Sequence, residues 1–239
     1  MKTSLLILHW KRPENVKRIL DLECGYECVD EILVFNNNKD ELFVYDHPKV
    51  KALNASCDFG LRTRWILGAL AQNDCLVFQD DDILLAEEAF LRFARELEQD
   101  PDRAYSLHGR NPASDIYTQK PAVGDVAIVL TRATCIHRKH IPLILECERR
   151  FRAKFGFSVN NGEDIFLSYC LSTCYGKMHK IIQTHHKNLL SPHAISDRAN
   201  HLAQRTELLR SCLKFFSGPH GEEIRCFAGI QSRPLINSK

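Results

Sequence analysis

Over residues 4–100 the chain alternates short apolar runs with stretches whose apolar positions recur at helical spacing. Residues 4–9 read as a first strand. Pro13 and Glu14 then open a helix with Val16, Ile19, Leu20 and Leu22 in its stripe. Glu31–Phe35 is a second strand, closed by the turn cluster Asn36-Asn37-Asn38, and Val50–Leu53 a short third. Leu61–Ala71 reads as a helix, Cys75–Phe78 as a fourth strand and Glu87–Glu98 as a helix stopped near Pro101. Strands alternating with helices predict an α/β fold with a mostly parallel central sheet flanked by helices. Such sheets bind ligands at the carboxyl ends of their strands. Lys11-Arg12, Asn36–Asn38 and Asp80-Asp81-Asp82 all fall there.

The second half is less regular. Tyr105–Leu107 and the continuous apolar run Val126–Leu130 read as strands, Ile141–Phe155 as a helix, and Asn160–Asp164 as a turn into the helix Ile165–Leu171. Ile181-Ile182 is a late strand. Residues 185–200, polar and rich in His and Asn, are expected to form a loop that orders on ligand. Ala199–Phe216 is a helix with Leu202, Leu209, Leu213 and Phe216 in its stripe. No repeat or low-complexity linker interrupts the chain, so residues 1–239 read as one domain.

Composition narrows the function. A net charge of +2 over 239 residues gives no pull toward nucleic acid. The basic stretch Arg132, Arg138, Lys139, Arg149, Arg150, Arg152 and Lys154 reads as a solvated helical face, with an anionic acceptor or peripheral membrane contact as the functional alternative. No segment has the apolar length to cross a bilayer. The first ten residues are too briefly apolar for a signal peptide, so the expectation is a cytoplasmic protein. Ten scattered cysteines, with Cys24/Cys28 and Cys170/Cys174 at helical spacing, read as reduced and mostly core.

The strongest chemical signal is the acidic triplet after the fourth strand. Three adjacent carboxylates repel one another, and Mn²⁺ or Mg²⁺, which favour hard oxygen ligands, resolves that conflict and can then hold a diphosphate. A solvated acidic turn is the plain alternative. Asp164 sits where a helix N-cap residue commonly does, and Glu163 where the helix dipole favours an acid. Arg205 fits a surface position on an amphipathic helix, and His201 shares its face four residues earlier. His185-His186 and His193 lack carboxylates at metal-ligand spacing and read as structural.

Taken in order, these motifs resemble the glycosyltransferase domain of the exostosin-like proteins, over about residues 4–216. Lys11-Arg12 resembles the basic pair after that family's first strand, implying a nucleotide contact from Arg12. Val34-Phe35-Asn36-Asn37 resembles its Val-Trp-Asn-Asn, implying a base or ribose contact from Asn36, with Phe35 replacing the stacking Trp. Arg62-Thr63-Arg64 resembles an Arg-Asn-Arg segment that grips the donor. Val77–Asp82 resembles the metal-binding motif, implying Asp82 as direct ligand and Asp80 and Asp81 toward the ribose, with Asp80 a second metal contact. Gly162-Glu163-Asp164-Ile165 and Arg198–Thr206 resemble the motifs that carry the acidic pair Glu163 and Asp164 and the catalytic Arg205, with His201 against metal or diphosphate. Where family members carry two cysteines able to form a disulfide, this chain has Gly162 and Leu208, which fits a reducing compartment.

The resemblance implies the GT-A fold, a nucleotide-sugar-binding half over about 1–104, an acceptor-binding and catalytic half over about 105–216, and a tail over 217–239. It implies a Mn²⁺- or Mg²⁺-dependent transfer of an N-acetylhexosamine from a UDP-sugar to a glycan or lipid-linked acceptor, with retention. The alternatives are an inverting enzyme with Asp164 as general base, or a non-catalytic nucleotide-sugar-binding module. A nucleotidyltransferase is disfavoured, because His9–Pro13 has no glycine.

Overall fold

The structure is a computed structural model that describes residues 1–157, 159, 161–190 and 199–227. Arg198, His193 and Asn160 lie outside the described residues.

Every residue of β1 (Thr3–His9) is buried, which requires cover on both faces of its sheet. Alternate side chains meet that cover: Leu6 and Leu8 enter one apolar cluster, Leu5 and Ile7 the other, at the period of two set by the strand pleat. The chain continues through α1 (Pro13–Glu23), β2 (Val29–Asn36), β3 (Val50–Asn54), α2 (Thr63–Leu70), β4 (Cys75–Asp80), β5 (Ile83–Leu85) and α3 (Glu87–Gln99). Strands β3, β2, β1 and β4 lie side by side and parallel. From β1 the chain steps outward to β2 and β3, then returns to place β4 on the other side of β1. The β1/β4 boundary is therefore the topological switch point, where such sheets open a ligand crevice beyond the strand ends.

Beyond β4 the sheet turns mixed. The remaining elements are β6 (Tyr105–Ser106), β7 (Gly109–Arg110), β8 (Pro121–Ala122), β9 (Asp125–Val126), β10 (Ile128–Val129), β11 (Ala133–His137), α4 (His140–Phe155), α5 (Glu163–Tyr175), β12 (His179–Ile181), β13 (His186–Asn188), α6 (His201–Phe216) and α7 (Pro219–Phe227). The main sheet has the order β3-β2-β1-β4-β11-β6-β12-β9, with β11 antiparallel to both its neighbours.

Several expectations need correcting. The run Val126–Leu130 is not one strand: β9 pairs with β12 in the main sheet, whereas β10 pairs with β7 in a small separate one. Strand β11, central to the sheet, carries no alternation that marks it in sequence. The tail contains the helix α7. Leu22 is 47% exposed, and Glu23 takes its place on the buried face of α1. In α6 the buried face runs through Arg205, Leu208, Leu209, Cys212, Phe215 and Phe216, leaving Leu202 exposed. Cys170 and Cys174 do lie one turn apart in α5, but Cys28 lies past the end of α1. All ten cysteines are free thiols. No helix among the described residues is long and apolar enough to cross a membrane.

Candidate active site

The acidic triplet leaves the carboxyl end of β4, where Leu8 of β1 pairs with Asp80. Lys11 adopts a left-handed backbone (φ 56°) just after β1, a strained conformation for a side-chain-bearing residue that concentrates at functional sites. That turn directs the loop onto Asp81: the Trp10 N–H donates to Oδ2 at 2.8 Å and the Arg12 guanidinium to Oδ1 at 2.5 Å. Asp81 is thus consumed in tying β1 to β4. Asp82 accepts from the Arg132 Nε at 3.0 Å, with Arg12 at 3.4 Å from its other oxygen. Asp80 accepts from Arg64. Each carboxylate of the triplet meets a different arginine as its nearest cation, which relieves their mutual repulsion.

Arg64 connects the triplet to the second motif. It sits in the first turn of α2 beside Trp65, whose ring is fully buried edge-on against Phe78 of β4 at 5.6 Å. That anchor fixes the helix start. Gly68 lets α2 approach α4, since a Cβ there would lie 2.4 Å from Ile141. With α2 seated, Arg64 spans from Asp80 to Glu163, its Nε 3.2 Å from Oε1. Burial opposes its charge, but Asp80 and then Glu163 outweigh it and raise its pKa. Glu163 also accepts from the Thr131 hydroxyl at 2.7 Å. Burial, and next the charge of Asp164, push its carboxyl above the usual range.

Asp164 is not the N-cap of α5; Gly162 is. One nitrogen of Arg205 donates to both Asp164 oxygens, at 2.9 and 2.7 Å, and the guanidinium lies 4.3 Å over the Tyr117 ring. Arg205 is only 5% exposed, which excludes the surface reading. Gly162 explains how α6 reaches this position. Its φ of +134° suits glycine, and a Cβ there would lie 2.5 Å from Leu208. Gly162 and Leu208 are therefore in contact, with the leucine filling the space that glycine vacates. One helical turn before Leu208, Arg205 is delivered onto Asp164.

Other predicted residues sit differently. Asn36 is buried: its amide donates to Glu41 O and Asn54 Oδ1 and its oxygen accepts the Asn38 N–H. These bonds shape the loop after β2. Phe35 packs in the core against Phe59, edge-to-face at 6.3 Å, and Phe59 is the ring left accessible. Arg62 pairs with Glu148 of α4 at 3.6 Å. His201 opens α6 with Nδ1 3.4 Å from Asn161 Nδ2. The basic stretch is not a uniform solvated face: Arg149 and Arg150 pair with Glu146, and Arg132 turns into the site. Sequence reasoning missed Arg132, Thr131 and Tyr117. Recognising Ala133–His137 as a strand antiparallel to β4 is the signal that finds the first two, because its start then lies beside the end of β4.

The donor set fits a divalent metal of restricted kind. Among the described residues no group of three His, Cys, Asp or Glu forms a ready cage. Mg²⁺-type ions, however, commonly take one or two protein carboxylates and complete their shell with substrate phosphates; Asp82 and Asp80 suit that role. Five carboxylates here face four arginines (Arg12, Arg64, Arg132 and Arg205), so an added cation would favour entry of a diphosphate. Two buried donors, Arg64 Nη1 and Arg205 Nε, lack an acceptor among the described residues. Buried donors are rarely left so; an enclosed water would satisfy them.

No protein-family model and no curated protein matches the chain. Solved structures do. GalNAc-T7 with UDP, GalNAc and Mn²⁺ superposes at TM-score 0.61 and 12% identity, over 97% of this chain and 55% of that one. S. aureus TarS in complex with UDP-GlcNAc gives 0.59 at 10% identity, over 95% and 71%. The mannosyltransferase PcManGT from Pyrobaculum calidifontis, with GDP-Man and Mn²⁺, gives 0.52 at 14%, over 95% and 68%. The chain thus spans little more than half of the first of these proteins. The architecture this chain shares with them is the GT-A glycosyltransferase fold.

Proposed function

We propose that the chain is a metal-dependent glycosyltransferase that moves a sugar from a nucleotide-sugar donor to an acceptor hydroxyl. The observation that carries this is Arg64, which joins the acidic triplet to the Glu163-Asp164 pair across the crevice of a GT-A sheet. UDP is the proposed nucleotide, since two of the three similar structures hold UDP or UDP-GlcNAc and the motifs resemble those of exostosin-like enzymes. An N-acetylhexosamine is the proposed sugar, and a glycan or lipid-linked intermediate the proposed acceptor, met at a cytoplasmic membrane surface.

A metal bound at Asp82 and Asp80 supplies positive charge against the departing diphosphate. The protein's own groups do the rest. Arg64 and Arg205, nearly sealed in, fix the carboxylates of both motifs and add positive charge beneath the crevice. Asp164, hydrogen-bonded through both oxygens to Arg205, stabilises the cationic sugar of an oxocarbenium-like transition state and steers the acceptor hydroxyl. We favour attack from the face that the diphosphate leaves, its oxygen taking the hydroxyl proton, which retains configuration. A carboxylate whose two oxygens are both committed to an arginine is poorly placed to accept that proton, so the inverting reading is second.

A thermal-shift panel of UDP, GDP, CMP and their sugars, with and without Mn²⁺, tests the proposal. Ligand at about 100 times its Kd adds about 2.7 kcal/mol, or roughly 5–10 °C for a domain of this size. The expected result is a Mn²⁺-dependent shift with UDP compounds that Asp82→Asn removes. No shift with any nucleotide overturns the transferase reading. The anomeric signal of the product in NMR decides retention against inversion.

A further inference from the structure

Arg132 meets the triplet through both its side chain and its backbone. Its side chain donates to Asp82 twice, Nε to Oδ1 at 3.0 Å and a terminal nitrogen to the backbone oxygen at 3.3 Å. Its own carbonyl accepts the Asp80 N–H at 2.9 Å. The antiparallel pairing of β11 with β4 sets this, because Ala133 lies opposite Gln79. Unlike Arg64 and Arg205, which are nearly sealed in, Arg132 keeps 27% of its side chain exposed. Beside it, His108 is kept neutral, its pKa pushed down to about 4 by burial and then by the charge of Arg132.

From this geometry we infer that Arg132 is a stand-in cation: it occupies Asp82 when no donor is bound, competes with a divalent metal for that carboxylate, and transfers its guanidinium to the donor diphosphate when metal takes Asp82. The inference rests on the donor reading above and adds an ordered coupling to it. Metal alone binds poorly because it must displace a paired arginine. Metal with diphosphate binds well because the displaced arginine finds a phosphate, whose oxygens match its planar fork. The coupling is reciprocal, so diphosphate raises metal affinity by the factor by which metal raises diphosphate affinity.

The test measures Mn²⁺ binding by loss of the free-ion EPR signal, with and without UDP, in wild type, Arg132→Gln and Arg132→Lys, each first shown to be folded by thermal unfolding. Arg132→Gln is expected to bind Mn²⁺ alone several-fold more tightly than wild type, yet UDP in the presence of Mn²⁺ about 10- to 100-fold more weakly, the range for one charged hydrogen-bond partner. Arg132→Lys, which keeps charge without the fork, is expected to fall between. A merely structural role for Arg132 moves both affinities down together, and that result overturns the inference, as does no change in either. Wild type that binds no UDP with Mn²⁺ overturns the donor reading and the phosphate half of this one. Normal UDP binding with Mn²⁺-alone affinity unchanged in Arg132→Gln overturns the competition and leaves the donor reading standing.

Discussion

Replacing Arg64 with methionine removes the cation that joins the two acidic motifs while keeping most of its volume. Arg64 and Glu163 have side chains each 3% exposed, so the variant leaves a carboxylate buried with Thr131 as its remaining side-chain donor. Breaking a buried pair by deleting one partner costs about 3–5 kcal/mol. The sign of the pH dependence follows from Glu163. Its folded pKa is already raised, by burial and by Asp164, against the pull of Arg64; deleting Arg64 raises it further. A carboxyl of that kind contributes stability that is fully present below its unfolded pKa of about 4.3 and is lost as pH rises through the folded value. The deficit of Arg64→Met is therefore smaller near pH 5 than near pH 8. Urea unfolding at both pH values measures it, and the double variant Arg64→Met/Glu163→Gln, which removes the orphaned charge, is expected to recover more than half of the loss. A deficit below about 1 kcal/mol at pH 8, or one equal at the two pH values, refutes the reasoning.

Two further outcomes follow from buried groups elsewhere in the site's scaffold. Glu23, accepting from Gln79 and the Leu85 N–H behind the triplet, has its pKa pushed from 4.5 up to about 8 by burial, against those two hydrogen bonds. Its raised value makes its contribution full below about pH 4.5 and lost by about pH 8. Glu23→Gln is then expected to gain on wild type as pH climbs, by at most about 4–5 kcal/mol at roughly 1.4 kcal/mol per pKa unit; thermal melts from about pH 5 to 9 showing a constant difference sink that account. Gly162→Ala is expected to cost about 2–4 kcal/mol, combining left-handed strain with the collision against Leu208. In a Leu208→Ala background the collision is gone and only about 1–2 kcal/mol of strain remains, so equal costs in both backgrounds by denaturant unfolding rule out the contact.

How far the fold and site were legible in sequence depends on which interactions are local. The first hundred residues show their elements because parallel strands and their crossover helices are each marked by one period, two or 3.6, within a short window. The triplet, Glu163-Asp164 and Arg205 were legible as motifs for the same reason: each is a few adjacent residues. What was not legible is pairing across sequence. Strand β11 is five residues, Ala-Thr-Cys-Ile-His, flanked by arginines, and its identity as a strand is set by β4 on one side and β6 on the other. With it went Thr131 and Arg132, which lie 32 and 50 residues in sequence from the carboxylates they hold. Composition misled in the same way at Arg205 and Glu23, where a charged residue occupies the buried face that an apolar neighbour was expected to fill. A buried polar side chain is tolerated in the core only with a partner, and the partner is named by tertiary contact: Asp164 for Arg205, Gln79 for Glu23. The residues at which the apolar pattern breaks are thus informative once the fold is known. In α6 the break falls on Arg205, at the acidic pair of the candidate site. In α1 it falls on Glu23, behind the turn that presents the triplet.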